Sequence, residues 1–299
     1  MESMGRRKSP QFAWRKMRNN RKTIIMAAVL LVVALLVTVY PVISNYLEEK
    51  NKSKICTEYF NAIGRLDNSA IDAARHKAEE YNAMLANGVS QTFSDEQINE
   101  AADDYNELLN LTGNGIMAYI EIPKLKIYLP VAHGTEAATL ENAVGHVIGS
   151  SLPIGGNGTH AVLSGHSGMA SEKMFSDLGQ MKVGDVFFIH VLNETLAYAV
   201  DEINTVLPGD TSLLVIDRDE DLVTLITCTP FGVNTHRLLV RGSRIDSNTQ
   251  ISDADIEGVG ADEVESTWVR EYVKGIAVGV VILAACIIAY ILARRFRNE

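Results

Sequence analysis

Cys228 closes the apolar run Leu222 to Thr227 and is followed by Thr229 and Pro230. A strand that stops in a cysteine at a proline turn puts a thiol at the strand mouth. Backbone N–H groups released there can point at a reacting carbonyl. Free cysteine is also a common buried packing residue, and that reading stands beside the first. His166 lies in Leu163-Ser164-Gly165-His166-Ser167-Gly168, where an apolar strand runs into a glycine-flanked imidazole. Its small neighbours allow another chain or a substrate to come close, and a loop histidine satisfied by its surroundings is the alternative. Arg237 follows Cys228 across the loop Thr229 to His236. Such a loop can return a guanidinium beside the thiol, where it would favour a thiolate or a developing oxyanion. A surface salt bridge is the alternative. Taken alone, each of the three residues favours its plain alternative, and nucleophilic chemistry is one reason for a lone thiol at Cys228.

Rival chemistries find less support. Four histidines, His133, His146, His160 and His166, fall close together, but no pair has the i, i+4 helical spacing or the Cys-x-x-Cys spacing of zinc sites. There is no Walker loop, no Rossmann glycine pattern and no Gly-x-Ser-x-Gly elbow. No cofactor and no metal are expected. Of the three cysteines, Cys286 sits in an apolar run and Cys56 in a helix-like stretch. Cys56 and Cys228 could pair in principle, and nothing in the sequence requires it.

Short β-rich runs must position these residues. IMAYIEIP, IYLPVAHG, HAVLSGHSG, VFFIHVL, TLAYAVDEINTVLP, LVTLITCTP and HRLLVRGSRI follow one another from Gly115 to Ile245, separated by Gly, Pro, Asn and Asp. That spacing predicts an all-β barrel or sandwich over 115–245. Before it, residues 48–114 read as helical. Apolar positions recur at three-and-four spacing, Asn87-Gly88 is a helix stop, and Ser94 with Gln97 forms a capping-box pattern.

Two uncharged runs flank this middle. Residues 23–47, TIIMAAVLLVVALLVTVYPVISNYL, and 275–293, GIAVGVVILAACIIAYILA, are each long enough to span a bilayer. The first follows a basic stretch (1–22) and the second precedes a basic tail (294–299). The positive-inside rule therefore puts both ends in the cytoplasm and the domain between them outside. A cleaved signal peptide is the alternative for the first run, which is longer than such a region and lacks a clear Ala-x-Ala site. Charge divides in the same way. About +7 at the start and +2 at the end leave −19 for the middle, against −10 for all 299 residues. So acidic a surface is a poor partner for nucleic acid. Residues 246–274, acidic and rich in Ser, Asp and Gly, read as a solvated linker.

Thr224-Leu225-Ile226-Thr227-Cys228 fits the Thr-Leu-x-Thr-Cys signature of sortases, the cysteine transpeptidases of Gram-positive cell surfaces. TPFGVNTHRLLVRG (229–242), GIMAYIEIPKLKIYLPVAHG (115–134), VGHVIGSSLPIGGNGTHAVLSGHSG (144–168) and SDLGQMKVGDVFFIHVLNETLAYAVDEI (176–203) closely resemble class C, the pilus-assembling group. The two-span layout is similar to that class as well. The resemblance implies a mainly β fold: a closed eight-stranded β-barrel with N-terminal helices, here between two flanking transmembrane helices. It makes Cys228 the nucleophile, His166 the general acid/base and Arg237 the oxyanion or substrate-positioning group. It further implies cleavage of an LPxTG-like signal between Thr and Gly through a thioester. The acyl group then passes to a pilin lysine, which polymerises pili. The partners so implied are pilin subunits and the membrane.

One place departs from the class. Class C enzymes usually carry a lid with an Asp-Pro-aromatic anchor before the barrel. Here that place reads Gln91-Thr92-Phe93. Phe93 would be the plug and Gln91 would replace the aspartate, giving a lid that is looser or opens more readily; Phe93 as a plain packing residue is the alternative. For the whole chain, two other functions stand beside pilus assembly. One is a sortase that anchors surface proteins to peptidoglycan, and the other is a non-catalytic surface scaffold on the same fold.

Overall fold

The computed structural model describes residues 10–89, 105–167, 173–245, 273–279 and 281. The chain divides into two compact units, the first ending at Tyr46 and the second starting at Leu47. Helix α1, Pro10–Ile63, carries the uncharged run in its first part. There Ile25, Val29, Leu30, Leu36, Tyr40 and Ile43 are exposed. Over the described residues alone, no helix is long and apolar enough to cross a membrane. Residues 273–279 and 281 are helical, and the rest of the second uncharged run lies outside the described residues.

In the second unit, the end of α1 turns Cys56, Tyr59 and Ile63 inward. Their spacing of three and four residues places them on one helical face. The Tyr59 hydroxyl donates to the Met117 carbonyl (2.8 Å) and accepts from the Leu192 N–H (3.2 Å), which ties the helix to two parts of the barrel. Helix α2, Asn68–Met84, starts at Asp67, whose carboxylate accepts from the Ala70 N–H and the Ser69 hydroxyl, both at 2.8 Å. These bonds hold the Asp67 carboxyl below its usual range. The expected stop at Asn87-Gly88 falls inside a π-helical turn, Leu85–Val89, that continues α2. Asn82 of α2 is buried and bonds both backbone groups of Leu152: its amide donates to the carbonyl (3.1 Å) and its oxygen accepts from the N–H (2.7 Å).

Eight strands close into a barrel: β1 (Ile116–Ile122), β2 (Ile127–His133), β3 (Val144–His146), β4 (Thr159–Ser164), β5 (Val186–Val191), β6 (Glu194–Val206), β7 (Asp221–Thr229) and β8 (His236–Ile245). Their order around the barrel is β1-β2-β3-β4-β7-β8-β6-β5. The mainly β, eight-stranded barrel expected from the sequence is present. Seven strands correspond to the β-rich runs. The eighth, β3, follows a short helix α3, Ala137–Asn142, and at three residues is too short to show any alternation. Two pairs are parallel, β2 with β3 and β4 with β7, and the others are antiparallel. Ala161, Leu163, Val223, Leu225, Leu238 and Val240 point into the core. The alternate set on β4, β7 and β8 therefore points to the other face of the sheet, and that face carries the site.

Candidate active site

Strand pairing brings the chemically capable residues together. Cys228 on β7 stands directly opposite Arg237 on β8. Both are half-buried. Residues opposite each other in an antiparallel pair share a face, with Cβ atoms about 5 Å apart. The connecting loop is short and well bonded: the N–H groups of Val233 and Asn234 both donate to the Pro230 carbonyl at 3.0 Å, and Asn234 takes a left-handed conformation (φ 62°). Arg237 Nη1 donates to the carbonyls of Asn234 (3.3 Å) and His236 (3.1 Å). The loop thus holds the guanidinium at the strand mouth, and among the described residues no carboxylate pairs with it. His236, beside it, bonds the Thr235 hydroxyl through Nδ1 (3.0 Å).

His166 arrives from the other side of β7. The parallel β4–β7 register pairs Ser164 with Ile226, and continuing it by two positions brings His166 level with Cys228. Two bonds extend this ladder. The Gly165 N–H donates to the Ile226 carbonyl (3.0 Å), and the Thr227 hydroxyl donates to the Gly165 carbonyl (2.8 Å). Thr227, buried between the strands, is thus a fastener for the segment that carries His166. Only its place in the Thr-Cys pair hinted at it in the sequence.

The small residue before His166 has a specific neighbour. A Cβ built on Gly165 would lie 2.6 Å from Cδ2 of Phe175. Phe175 is fully buried, and its N–H donates to the His166 carbonyl (3.0 Å). The close approach that glycine permits is therefore made by the chain's own phenylalanine. Gly168 lies outside the described residues, as do Gln91, Phe93 and the Ser94–Gln97 capping pattern.

The remaining histidines are bonded elsewhere. His133 is buried, with Nδ1 2.9 Å from the Gly115 carbonyl and Nε2 2.7 Å from that of Leu108. His146 is fully buried, and burial pushes its imidazole down to about 4. It stays neutral: Nε2–H donates to the Ser151 carbonyl (2.8 Å) and Nδ1 accepts from the Tyr105 hydroxyl (2.8 Å). His160 faces the same side of the sheet as Cys228 but sits three rows away, beside Leu222. His190 bonds Glu121 (2.9 Å) on the far side of the barrel. Cys56 and Cys228 are both free. Cys56 is buried under α1, and desolvation pushes its thiol up to about 12, so it is a packing residue.

The site therefore holds a half-exposed thiol, a guanidinium aimed along the strand mouth and an imidazole on the neighbouring strand end. Such a group can attack a carbonyl, stabilise the oxyanion that forms and protonate a leaving amine. Comparison with known proteins follows the same lines. The sortase domain family matches residues 120–245. Sortase D of Bacillus subtilis is 32% identical over 129 residues, 42% of this chain and 62% of that protein, so the match spans less than two thirds of this curated relative. Sortase C1 of Streptococcus agalactiae has a crystal structure that is similar with a TM-score of 0.60 and 43% identity, over 64% of this chain and 98% of that one. Clostridium perfringens sortase C, solved with the C-terminal cell wall sorting motif, is similar with a TM-score of 0.56 and 38% identity, over 65% of this chain and 99% of that one.

Proposed function

The chain belongs to the sortase family, with class C members among its structural neighbours, and from that membership we propose that it polymerises pilins by cysteine transpeptidation. The observation that carries the reading is the pairing of Cys228 with Arg237 on one side of β7 and the register that levels His166 with Cys228 on the other.

In this reading the Cys228 thiolate attacks the threonine carbonyl of an LPxTG-like signal. The carbon–sulfur bond forms, and Arg237 stabilises the oxyanion. The carbon–nitrogen bond then breaks, with His166 giving its proton to the departing glycine amine. The thioester keeps the acyl group activated. A pilin lysine amine attacks it, its proton passes to His166, an isopeptide bond forms and the thiolate returns. Support for a sorting-signal substrate comes from the C. perfringens neighbour solved with such a motif.

The membrane placement belongs to the same proposal. Residues 23–47 and 275–293 would anchor the chain, with the barrel on the outer face and both basic ends in the cytoplasm. It is supported by the exposed apolar side chains of α1, such as Ile25, Leu30 and Leu36, which a bilayer would cover.

The test is mass spectrometry of the full chain in detergent with sorting-signal peptides. A thioester is expected on Cys228, resolved by a lysine-bearing pilin into an isopeptide. No adduct with any peptide would refute transpeptidation. Resolution only by a peptidoglycan stem amine would turn the reading to cell-wall anchoring.

A further inference from the structure

The face that carries Cys228 continues down the barrel. Successive rows join Ser164, Ile226 and Leu239, then Val162, Thr224 and Arg241, then His160, Leu222 and Ser243. The loop between β6 and β7, residues 207–220, passes over the lower rows. It does not lie flat on them. A cavity of about 630 Å³ separates it from the barrel, lined by Val215 and Ile216 of the loop and by Asp201, Leu222 and Arg241 of the strands. The loop meets the barrel core through Ile216, and over the rest of this space individual bonds must hold it.

One bond does. His160 is 1% exposed, and its Nδ1 lies 2.9 Å from the carbonyl of Val215, midway along the loop. Its Nε2 lies 2.7 Å from the hydroxyl of Thr224 on β7. Burial, the larger influence, lowers the imidazole below its ordinary range, so the ring is neutral. A neutral ring has one donor and one acceptor. Nδ1–H donates to Val215, and Nε2 accepts from the Thr224 hydroxyl. Among the described residues, His160 is the one barrel side chain that bonds residues 208–219. At either end of that span, contacts run within the loop or through backbone, as from the Gly158 N–H to the Glu220 carbonyl (2.8 Å).

His160 stands beside Leu222 and reaches Thr224, six and four residues from Cys228, so the tether lies about 13–20 Å down the strand from the thiol. Four residues of an LPxTG-like signal lie on the acyl side of the scissile bond and span about 13 Å when extended, and the one or two residues before them carry that to about 17–20 Å. A donor segment lying along this face with its scissile carbonyl at Cys228 therefore reaches the part of the loop that His160 holds. We propose that His160 is a positioning residue for the donor peptide: it fixes the β6–β7 loop, through the Val215 carbonyl, as one wall of the groove that leads to Cys228. The inference rests on the transpeptidase reading above. His160 touches neither thiol nor scissile bond, so its effect falls on donor binding rather than on the chemical step.

The two ring nitrogens allow a clean separation. Asparagine carries its amide nitrogen two bonds from Cβ, as Nδ1 does, and glutamine three bonds away, as Nε2 does. His160→Asn can keep the bond to the loop, and His160→Gln only the one to Thr224. Donor-peptide kinetics of the full chain in detergent read the outcome. His160→Gln is expected to raise KM for the donor about tenfold, the worth of one hydrogen bond, with kcat within about twofold. His160→Asn should stay within about twofold of the unmodified chain in both. Hydrogen exchange supplies a readout independent of turnover: amides of residues 211–216 should exchange faster in His160→Gln than in His160→Asn. Equal KM in all three chains, equal impairment in both variants, or a loss of kcat at unchanged KM would overturn the inference. An unmodified chain that forms no thioester would instead overturn the transpeptidase reading. Unequal exchange in the two variants would then still establish the tether, and equal exchange would remove it.

Discussion

Gly165→Ala tests whether the segment holding His166 is fixed by packing from beneath. The new methyl would stand 2.6, 2.9 and 3.1 Å from Cδ2, Cγ and Cε2 of Phe175. Ordinary carbon contacts lie at about 3.5–4.0 Å, so something must yield by roughly 1 Å. Gly165 cannot retreat without cost, because its N–H is bonded to Ile226 and its carbonyl to Thr227. Phe175 must move instead, and it is fully buried with its N–H on the His166 carbonyl. The strain therefore passes to His166. Overpacking of this kind costs about 1–3 kcal/mol of stability. A displacement near 1 Å at a reacting group costs on the order of 100-fold in rate. Thioester formation, followed by quenched-flow mass spectrometry, should slow by that order, and the urea unfolding midpoint should fall. Phe175→Leu in the same chain removes the ring edge and should recover part of both losses. A Gly165→Ala chain with unchanged rate and midpoint would refute the reasoning, as would a double variant no better than the single one.

Three further outcomes are expected. His146 is neutral in the folded chain down to about 4, whereas the unfolded chain takes up its proton near 6.5. The unfolded state therefore binds more protons between those values, and stability should drop by about 3 kcal/mol as the pH falls from 6.5 to 4, with His160 adding in the same direction; urea titrations read by near-ultraviolet circular dichroism should show a shallower pH slope in His146→Gln, and equal slopes would contradict this. Arg237→Gln removes the guanidinium beside Cys228 and should lower the rate of thioester formation by about 100- to 1,000-fold with an unchanged unfolding midpoint; a rate within threefold of the unmodified chain, on the order of 0.6 kcal/mol, would exclude the oxyanion role. Cys56, buried with its thiol pushed up to about 12, should resist iodoacetamide in the folded chain while Cys228 is alkylated; peptide mapping that finds Cys56 modified first would count against this burial.

The local chemistry was readable along the chain. Short β-rich runs bounded by Gly, Pro, Asn and Asp marked seven of the eight strands, because strand propensity and turn residues are written in consecutive positions. That a short loop could return Arg237 to Cys228 was readable too, while their direct pairing came from the register of β7 with β8. Other features were not. The three-residue β3 carries too few positions to show a period, and the six-residue α3 before it has no buried face. The Tyr105–His146 hydrogen bond, the Asn82–Leu152 pair and the His160–Val215 tether join residues 41, 70 and 55 positions apart. No local pattern encodes contacts at that range.

The sequence by itself determined that this chain has a β-rich domain between two uncharged runs, with a cysteine at the end of one β-rich run and an arginine at the start of the next. The glycine-flanked setting and the motif singled out His166 among the histidines, and only the tertiary structure decided where the others are held. His160 and His166 lie six residues apart on one run. The parallel pairing of β4 with β7 separates them, carrying His166 to the row of Cys228 and leaving His160 three rows below it. A parallel pair is joined by a long crossover whose register is set by side-chain packing in the closed barrel, here Phe175 against Gly165 and Thr227 between the strands, and not by any neighbouring residues in the chain.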